Sequence, residues 1–416
     1  MPRLLLAVCL TLTLTLALSA ADWPQFRGPK RDGVSADKGL LKSWPESGPP
    51  LAWKSVGVGI GFSSVAVVGD KVFTMGDDQG ACHAFAVRRD NGEQVWRAKV
   101  GEAGGNYVGP RCTPTVDGDR VYVLGQMGDL VCLTAADGKE VWRKSFKTDF
   151  GGKSGSWNYT ESVLIDGDKL ICTPGGSKAT MVALNKKTGA PVWQGVVGKG
   201  GDTAGYASPV VAEIGGVRQY VTLMANGLVG FSAKDGKMLW RYGSDRERFG
   251  GNTANIPTPI VRGDLIFSAA GYGRGAALVR IKGSGGNFTA EEVYWNRALN
   301  NKHGGVILVG DKLYGDSDDS GNPWSADFET GKVAWKRTER GQGSGSAAIT
   351  TADGMLYVRY QNGWVSLVNP AKGYEEVSTF KVPNGNRDCW AHPVVLDGKM
   401  YIRERDTIWC HDVKAK

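Results

Sequence analysis

The sequence predicts an all-β protein: an eight-bladed β-propeller of four-stranded antiparallel blades, closed by an N-terminal strand that completes the last blade. Three observations predict it. Glycine is about twice as frequent as usual, a tryptophan recurs every 40 to 55 residues, and an independent series of tight-turn sites also counts eight.

Glycine supplies 60 of the 416 residues. Each would cost a helix interior ~1 kcal/mol relative to alanine, so a chain this rich in it, with β-branched runs between, is built from short strands and turns. No Gly-X-Y period runs through it, which excludes collagen. A hydrophobic content of 41 % supports a large core.

Five segments place a glycine four residues before a tryptophan: Gly92 before Trp96, Gly138 before Trp142, Gly189 before Trp193, Gly236 before Trp240 and Gly331 before Trp335. Trp53 and Trp295 fall in the same register without it, and Phe380 takes the eighth place. The spacings of 43, 46, 51, 47, 55, 40 and 45 residues match one propeller blade. The turn sites are Gly69-Asp70, Gly118-Asp119, Gly167-Asp168, Gly215-Gly216, Gly263-Asp264, Gly310-Asp311, Asp353-Gly354 and Asp397-Gly398, each joining two β-branched or aromatic runs. A unit therefore reads as strand A, the turn, strand B, a variable loop, strand C, the glycine turn, and strand D carrying the tryptophan. The eighth unit ends at its strand C near Val413, and Leu51-Ala52-Trp53-Lys54 supplies the missing strand D. Closure of this kind removes open sheet edges. The seven tryptophans Trp53, Trp96, Trp142, Trp193, Trp240, Trp295 and Trp335 are expected to dock blade on blade, each burying ~150–250 Å².

The organisation expected is a signal peptide over 1–21, an extended segment over 22–49 and one propeller over 50–416. Met1-Pro2-Arg3 leads into an uncharged run from Leu4 to Leu18 and then Ser19-Ala20-Ala21, the pattern of a secretory signal cleaved near Ala21. The protein is expected to be exported, periplasmic or secreted, soluble and not membrane-spanning. Leu18-Ser19-Ala20 is followed by Ala21 and not by cysteine, so no lipid anchor is expected. Cys82, Cys112, Cys132, Cys172, Cys389 and Cys410 remain after cleavage, without a C-x-x-C spacing, and fit buried small hydrophobes better than a redox or zinc centre. The 50 basic and 42 acidic residues are interspersed, which reads as a solvated surface and not as a nucleic-acid interface.

The stretch Ala183-Leu184-Asn185-Lys186-Lys187-Thr188-Gly189-Ala190-Pro191-Val192-Trp193 resembles the tryptophan-docking repeat of pyrroloquinoline-quinone (PQQ) propellers, and Ser325 to Trp335 and Ala86 to Trp96 follow it closely. The resemblance covers nearly the whole mature chain and implies the fold, not an activity. Three branches share the repeat. Quinoprotein alcohol and sugar dehydrogenases hold PQQ and calcium on the axis; a periplasmic lipoprotein scaffold of the outer-membrane protein assembly machine binds no quinone. The third branch, bacterial secreted propellers, opens like Asp22-Trp23-Pro24-Gln25-Phe26-Arg27-Gly28-Pro29 and contains a segment like His303 to Asp311; it is the best match.

Function is expected on the face carrying the D-to-A and B-to-C connections, because the turns on the other face are short and uniform. Arg111, Trp157, Asn158, Tyr159, Glu161, Tyr206, Asn255, His303, Asp388, Trp390 and His392 all fall just before or at the start of a strand A and are the candidate ligand-binding residues of an axial funnel. In unit six, Asp316, Asp318, Ser320 and Asp327 resemble an oxygen-ligand calcium loop, with Gly321 at its sixth position and Pro323 and a short Asp327 against the fit. Histidine pairs, a nucleophile elbow and a phosphate loop are missing from the sequence. Adjacent cysteines, which the resemblance would imply over a quinone, are missing too. The reading is a monomeric ligand- or protein-binding scaffold of the cell envelope, a binder before an enzyme; the alternative is a PQQ- and calcium-dependent alcohol or sugar dehydrogenase in the same funnel.

Overall fold

The computed structural model describes residues 22–383, 385 and 388–416. The predicted signal segment, 1–21, lies outside them. No helix among the described residues is long and apolar enough to cross a membrane.

Eight four-stranded antiparallel sheets make up the ring. The second is representative: Thr115–Asp117, Arg120–Leu124, Asp129–Thr134 and Glu140–Ser145 pair in sequence order. Its middle strands are almost wholly buried, while in the outer strand only Trp142 is, as expected where sheets stack on both faces and only the last strand meets solvent. The first seven blades occupy 66–102, 115–145, 164–195, 210–242, 260–296, 307–336 and 347–381. The eighth combines Val394–Leu396, Lys399–Glu404 and Thr407–Asp412 with Leu51–Val56, which pairs with Thr407–Asp412 and sets Trp53 opposite Cys410.

Two consecutive residues of the eighth blade tie it to both neighbours. The fully buried Arg403 donates to Thr74 Oγ1 and to the carbonyls of Val58 and Gly59, beside the first blade. Glu404 ion-pairs with buried Arg359 of the seventh.

The repeat glycine exists to receive the previous blade's indole. Trp53, Trp96, Trp142 and Trp193 donate their N–H to the carbonyls of Arg89, Ala135, Lys186 and Ala233 in the next blade, at 2.9, 3.1, 3.0 and 3.3 Å. Gly138 lies against the Trp96 ring, where a Cβ would stand 2.7 Å from it, and has φ +71°. The fifth blade departs from this scheme. Its last strands, Gly275–Ser284 and Asn287–Asn296, form a long hairpin that turns at Gly285-Gly286, far from the register of the repeat glycine, and Trp240 instead donates to Gln219 Oε1 of its own blade, at 2.7 Å. Tyr294 takes the place of Trp295, donating to the Phe328 carbonyl at 3.0 Å. Trp295 packs on Phe249 with the Arg248 guanidinium over its face, and Trp335 rests between Tyr314 and Tyr374.

The segment over 22–49 is no loose tail. Trp23, 2 % exposed, exchanges backbone hydrogen bonds with Val67 in the innermost strand of the first blade. The Pro24 carbonyl accepts from Val116 N in the second. Arg31 donates to the Ser162 and Val163 carbonyls at 2.6 and 3.0 Å, beside the third blade, and Arg27 reaches the Val306 carbonyl beside the sixth. Val34 then bridges Thr351 in the seventh. The stretch from Trp23 to Val34 thus crosses the axis and plugs the channel from the turn side. Buried carbonyls of the inner strands, which have no neighbour on the axis side, find their donors in it.

Candidate functional site

The plug converts the channel into a cup. A cavity of about 410 Å³ remains above it, with Phe26 and Arg27 of the plug in its lining and connections from the blades forming its wall. Small hydroxyl residues at the starts of the inner strands stitch neighbouring blades together beneath the wall. Thr113 N donates to Ser162 Oγ and Ser162 N to Ser208 Oγ, both at 2.9 Å, and Ser64 Oγ donates to the His392 carbonyl at 2.6 Å.

The wall carries two aromatic clusters. In one, Trp157 packs on Tyr206 at 5.1 Å and on Tyr272 at 6.2 Å between ring centroids, and the Lys302 ammonium lies 4.5 Å from the Tyr272 centroid. In the other, Trp390 is surrounded by Phe62, Tyr107 and His303, the last stacked on it at 4.4 Å. The Arg111 guanidinium lies over Phe62, and Phe26 meets the His392 ring edge-on. His392 Nε2 bonds the His303 carbonyl at 3.2 Å. Buried Nδ1 atoms of His303 and His392 and the Trp390 indole N–H have no partner among the described residues.

Burial sets the electrostatics. It pushes both imidazoles down to about 3, so they are neutral at pH 7. It also lowers Arg27 and Arg111 to about 10, which leaves both charged. Neither guanidinium has a carboxylate within ion-pair distance among the described residues, whereas Lys302 is held by Asp319 at 2.8 Å. Asp319 and Asp388 are the carboxylates in the lining.

Of the residues expected in an axial funnel, Arg111, Trp157, Tyr206, His303, Asp388, Trp390 and His392 are brought together in this lining. The other four are outside it. Tyr159 is buried and donates to the Pro174 carbonyl, and Glu161 accepts from Thr173 N at 2.7 Å and from Thr173 Oγ1. Asn255 Nδ2 donates to the Met224, Ala225 and Phe249 carbonyls. Asn158, at φ +62°, forms a turn with Gly155. Polar residues at such corners serve the loop's own backbone, and residue type alone does not distinguish that use from ligand contact. Sequence reading missed Phe26, Arg27, Phe62, Tyr107, Tyr272 and Lys302. For two of them the signal was the Phe26-Arg27 pair within the opening motif.

The four calcium-loop residues do not converge. Asp316 pairs with Pro323 and Lys312 with Asp327, so the two aspartates stand at opposite ends of one hairpin. Asp316 is fully buried, accepting from Ala347 N and Asn301 Nδ2. Asp318 accepts from Gly273 N, Ser320 donates to the Ser317 carbonyl, and Asp327 accepts from Thr330. No group of three or more His, Cys, Asp or Glu among the described residues could hold a metal ion. A flat polycarboxylate such as PQQ would meet fitting partners in the aromatic walls, Arg27 and Arg111. A calcium ion beside it would find one carboxylate already tied to Lys302 and one other, and that donor set does not fit.

Comparison with known proteins agrees with the architecture. A family model described as outer membrane protein assembly factor BamB matches residues 83–337. BamB of Shewanella oneidensis is 25 % identical over 314 residues, which are 70 % of this chain and 72 % of that one. A tetrathionate hydrolase of Acidithiobacillus ferrooxidans is 23 % identical over 76 % of this chain and 53 % of its own. Among solved structures, quinohemoprotein alcohol dehydrogenase from Comamonas testosteroni superposes with a TM-score of 0.51 at 15 % identity, covering 96 % of this chain and 82 % of that one. That likeness is one of fold.

Proposed function

The chain belongs to the PQQ-repeat propeller family described by outer membrane protein assembly factor BamB, and from that premise we propose that it is a binding or scaffolding module of the cell envelope that holds a protein partner at its cup. The observation that carries this reading is the composition of the lining. Two aromatic clusters share the lining, two guanidinium groups have no carboxylate within ion-pair distance among the described residues, and the histidines are buried and neutral. Such a surface grips; its imidazoles are poor proton acceptors at pH 7. Relatives named for outer-membrane protein assembly support a protein partner, and the Met1-to-Ala21 pattern supports export, with the mature chain soluble and monomeric.

A photo-cross-linking residue at Tyr272, beside the mouth, should capture an envelope protein that the same residue at Gly167, on the turn face, does not. Equal capture from both faces would sink the proposal. The second reading, a quinone-dependent dehydrogenase, is favoured by the flat aromatic walls and arginines and opposed by the scattered acids. Bound quinone absorbance together with alcohol-dependent dye reduction, after incubation with PQQ and calcium, would establish it in place of the first.

A further inference from the structure

The lining of the cup carries three cations, Arg27, Arg111 and Lys302, and two carboxylates, Asp319 and Asp388, of which Asp319 is paired with Lys302. Arg27 spends Nη2 on the Asp32 and Val306 carbonyls, while Nη1 lies beside Gly305 of the lining, 2.8 Å from where a Cβ on that glycine would stand. Arg111 spends Nη1 on the Gly109 carbonyl at 3.2 Å, and its Nε and Nη2 have no partner among the described residues. The histidine pair stands near these cations: the charge of Arg27 is felt at His392, and those of Lys302 and, less strongly, Arg111 at His303. Two cations and two neutral imidazoles therefore share the cup with the cluster of Trp157, Tyr206 and Tyr272. The carboxylates felt by these guanidinium groups, Asp32 by Arg27 and Asp77 by Arg111, lie beyond ion-pair distance, so a carboxylate entering the cup would add charge-assisted hydrogen bonds that neither arginine makes to an acid.

The apolar surface continues past the cavity. Tyr107, Val108 and Tyr272 are 43 %, 52 % and 50 % exposed, and both tyrosines belong to the lining. A small acid filling the cup would leave this mouth bare; a polypeptide with apolar residues flanking an acidic one would cover it.

We infer that the cup is an acid-recognition pocket for a protein segment, taking a glutamate or aspartate side chain between Arg27 and Arg111 while flanking apolar residues lie on Tyr107, Val108 and Tyr272. This rests on the protein-binding reading and names the chemistry of its partner. Arg27 enters from the plug and not from the repeat, so the pocket depends on the opening segment.

The test is fluorescence anisotropy with a fluorescein-labelled nonapeptide carrying one glutamate between two phenylalanines, and its glutamine counterpart. The glutamate peptide should bind ~10-fold to 100-fold more tightly, as expected for a hydrogen-bonded charge. Arg111→Gln should erase that preference with an unchanged melting temperature. Arg27→Lys, which keeps the charge and loses the fork, should reduce it. Equal binding of the two peptides, or binding of neither, overturns the inference; if the Tyr272 cross-link persists, the binding-module reading survives that failure. Displacement by free 3-phenylpropionate at the peptide's own concentration also overturns it, by showing a small acid to be the occupant.

Discussion

Gly138→Ala isolates the contact that holds blade to blade. Alanine at φ +71° costs ~1–2 kcal/mol for the left-handed backbone. Its Cβ would also stand 2.7 Å from Trp96 Cε3 and 2.8 Å from Cδ2, and ring atoms of a packed indole have little room to retreat. Overpacking of that kind adds ~1–3 kcal/mol. Gly118→Ala is the matched control: φ is +58°, but nothing lies within 4 Å of the added carbon, so only the backbone cost applies. The excess of Gly138→Ala over Gly118→Ala should therefore be ~1–3 kcal/mol. Urea unfolding reads it, provided the variants share one m-value. The excess should vanish in a Trp96→Ala background, since the two sites share that contact. Equal costs for the two alanines, or an excess that persists without the indole, would refute the docking account.

Three further outcomes follow from the same structure. Glu404→Gln leaves Arg359 charged and buried and should cost ~3–5 kcal/mol in urea unfolding, whereas Glu404→Leu combined with Arg359→Met should recover most of it. Trp23→Ala should cost ~3–5 kcal/mol and, by loosening the plug, weaken peptide binding in the cup. Burial pushes Glu161 up to about 7, against Thr173 donors that favour its charge. The folded protein therefore holds this proton more tightly than the unfolded chain, and the stability it contributes is complete below the ordinary carboxyl range and lost as pH rises towards 7. Glu161→Gln should thus gain on the parent in melting temperature between about pH 4.5 and 7, with no such gain if the carboxyl ionises normally.

Legibility followed periodicity. The turn sites and the glycine-to-tryptophan spacing are local signals repeated in most blades, and Trp53, Trp96, Trp142 and Trp193 make equivalent contacts because equivalent turns receive them. Where the long hairpin of the fifth blade moves its turn out of that register, the same residue type took another partner, as Trp240 did with Gln219. In the candidate site, strand-start position predicted seven cup residues. It was silent about Tyr272, which sits in a glycine-rich stretch, and about Lys302, whose role depends on Asp319.

The sequence by itself determined the all-β class, the number of blades and the closure of the eighth by Leu51–Val56, because each is written in short-range pattern and count. Only the tertiary structure decided what the segment from Trp23 to Val34 does. Its partners are carbonyls of inner strands as far along the chain as Val306 and Thr351, and a carbonyl leaves no mark in the sequence. Whether an arginine ends up paired with a backbone oxygen, an acid or an open cavity is settled by where distant strands are brought together. For that reason, Arg27 reads as part of a family motif in one dimension and as the floor of a cup in three.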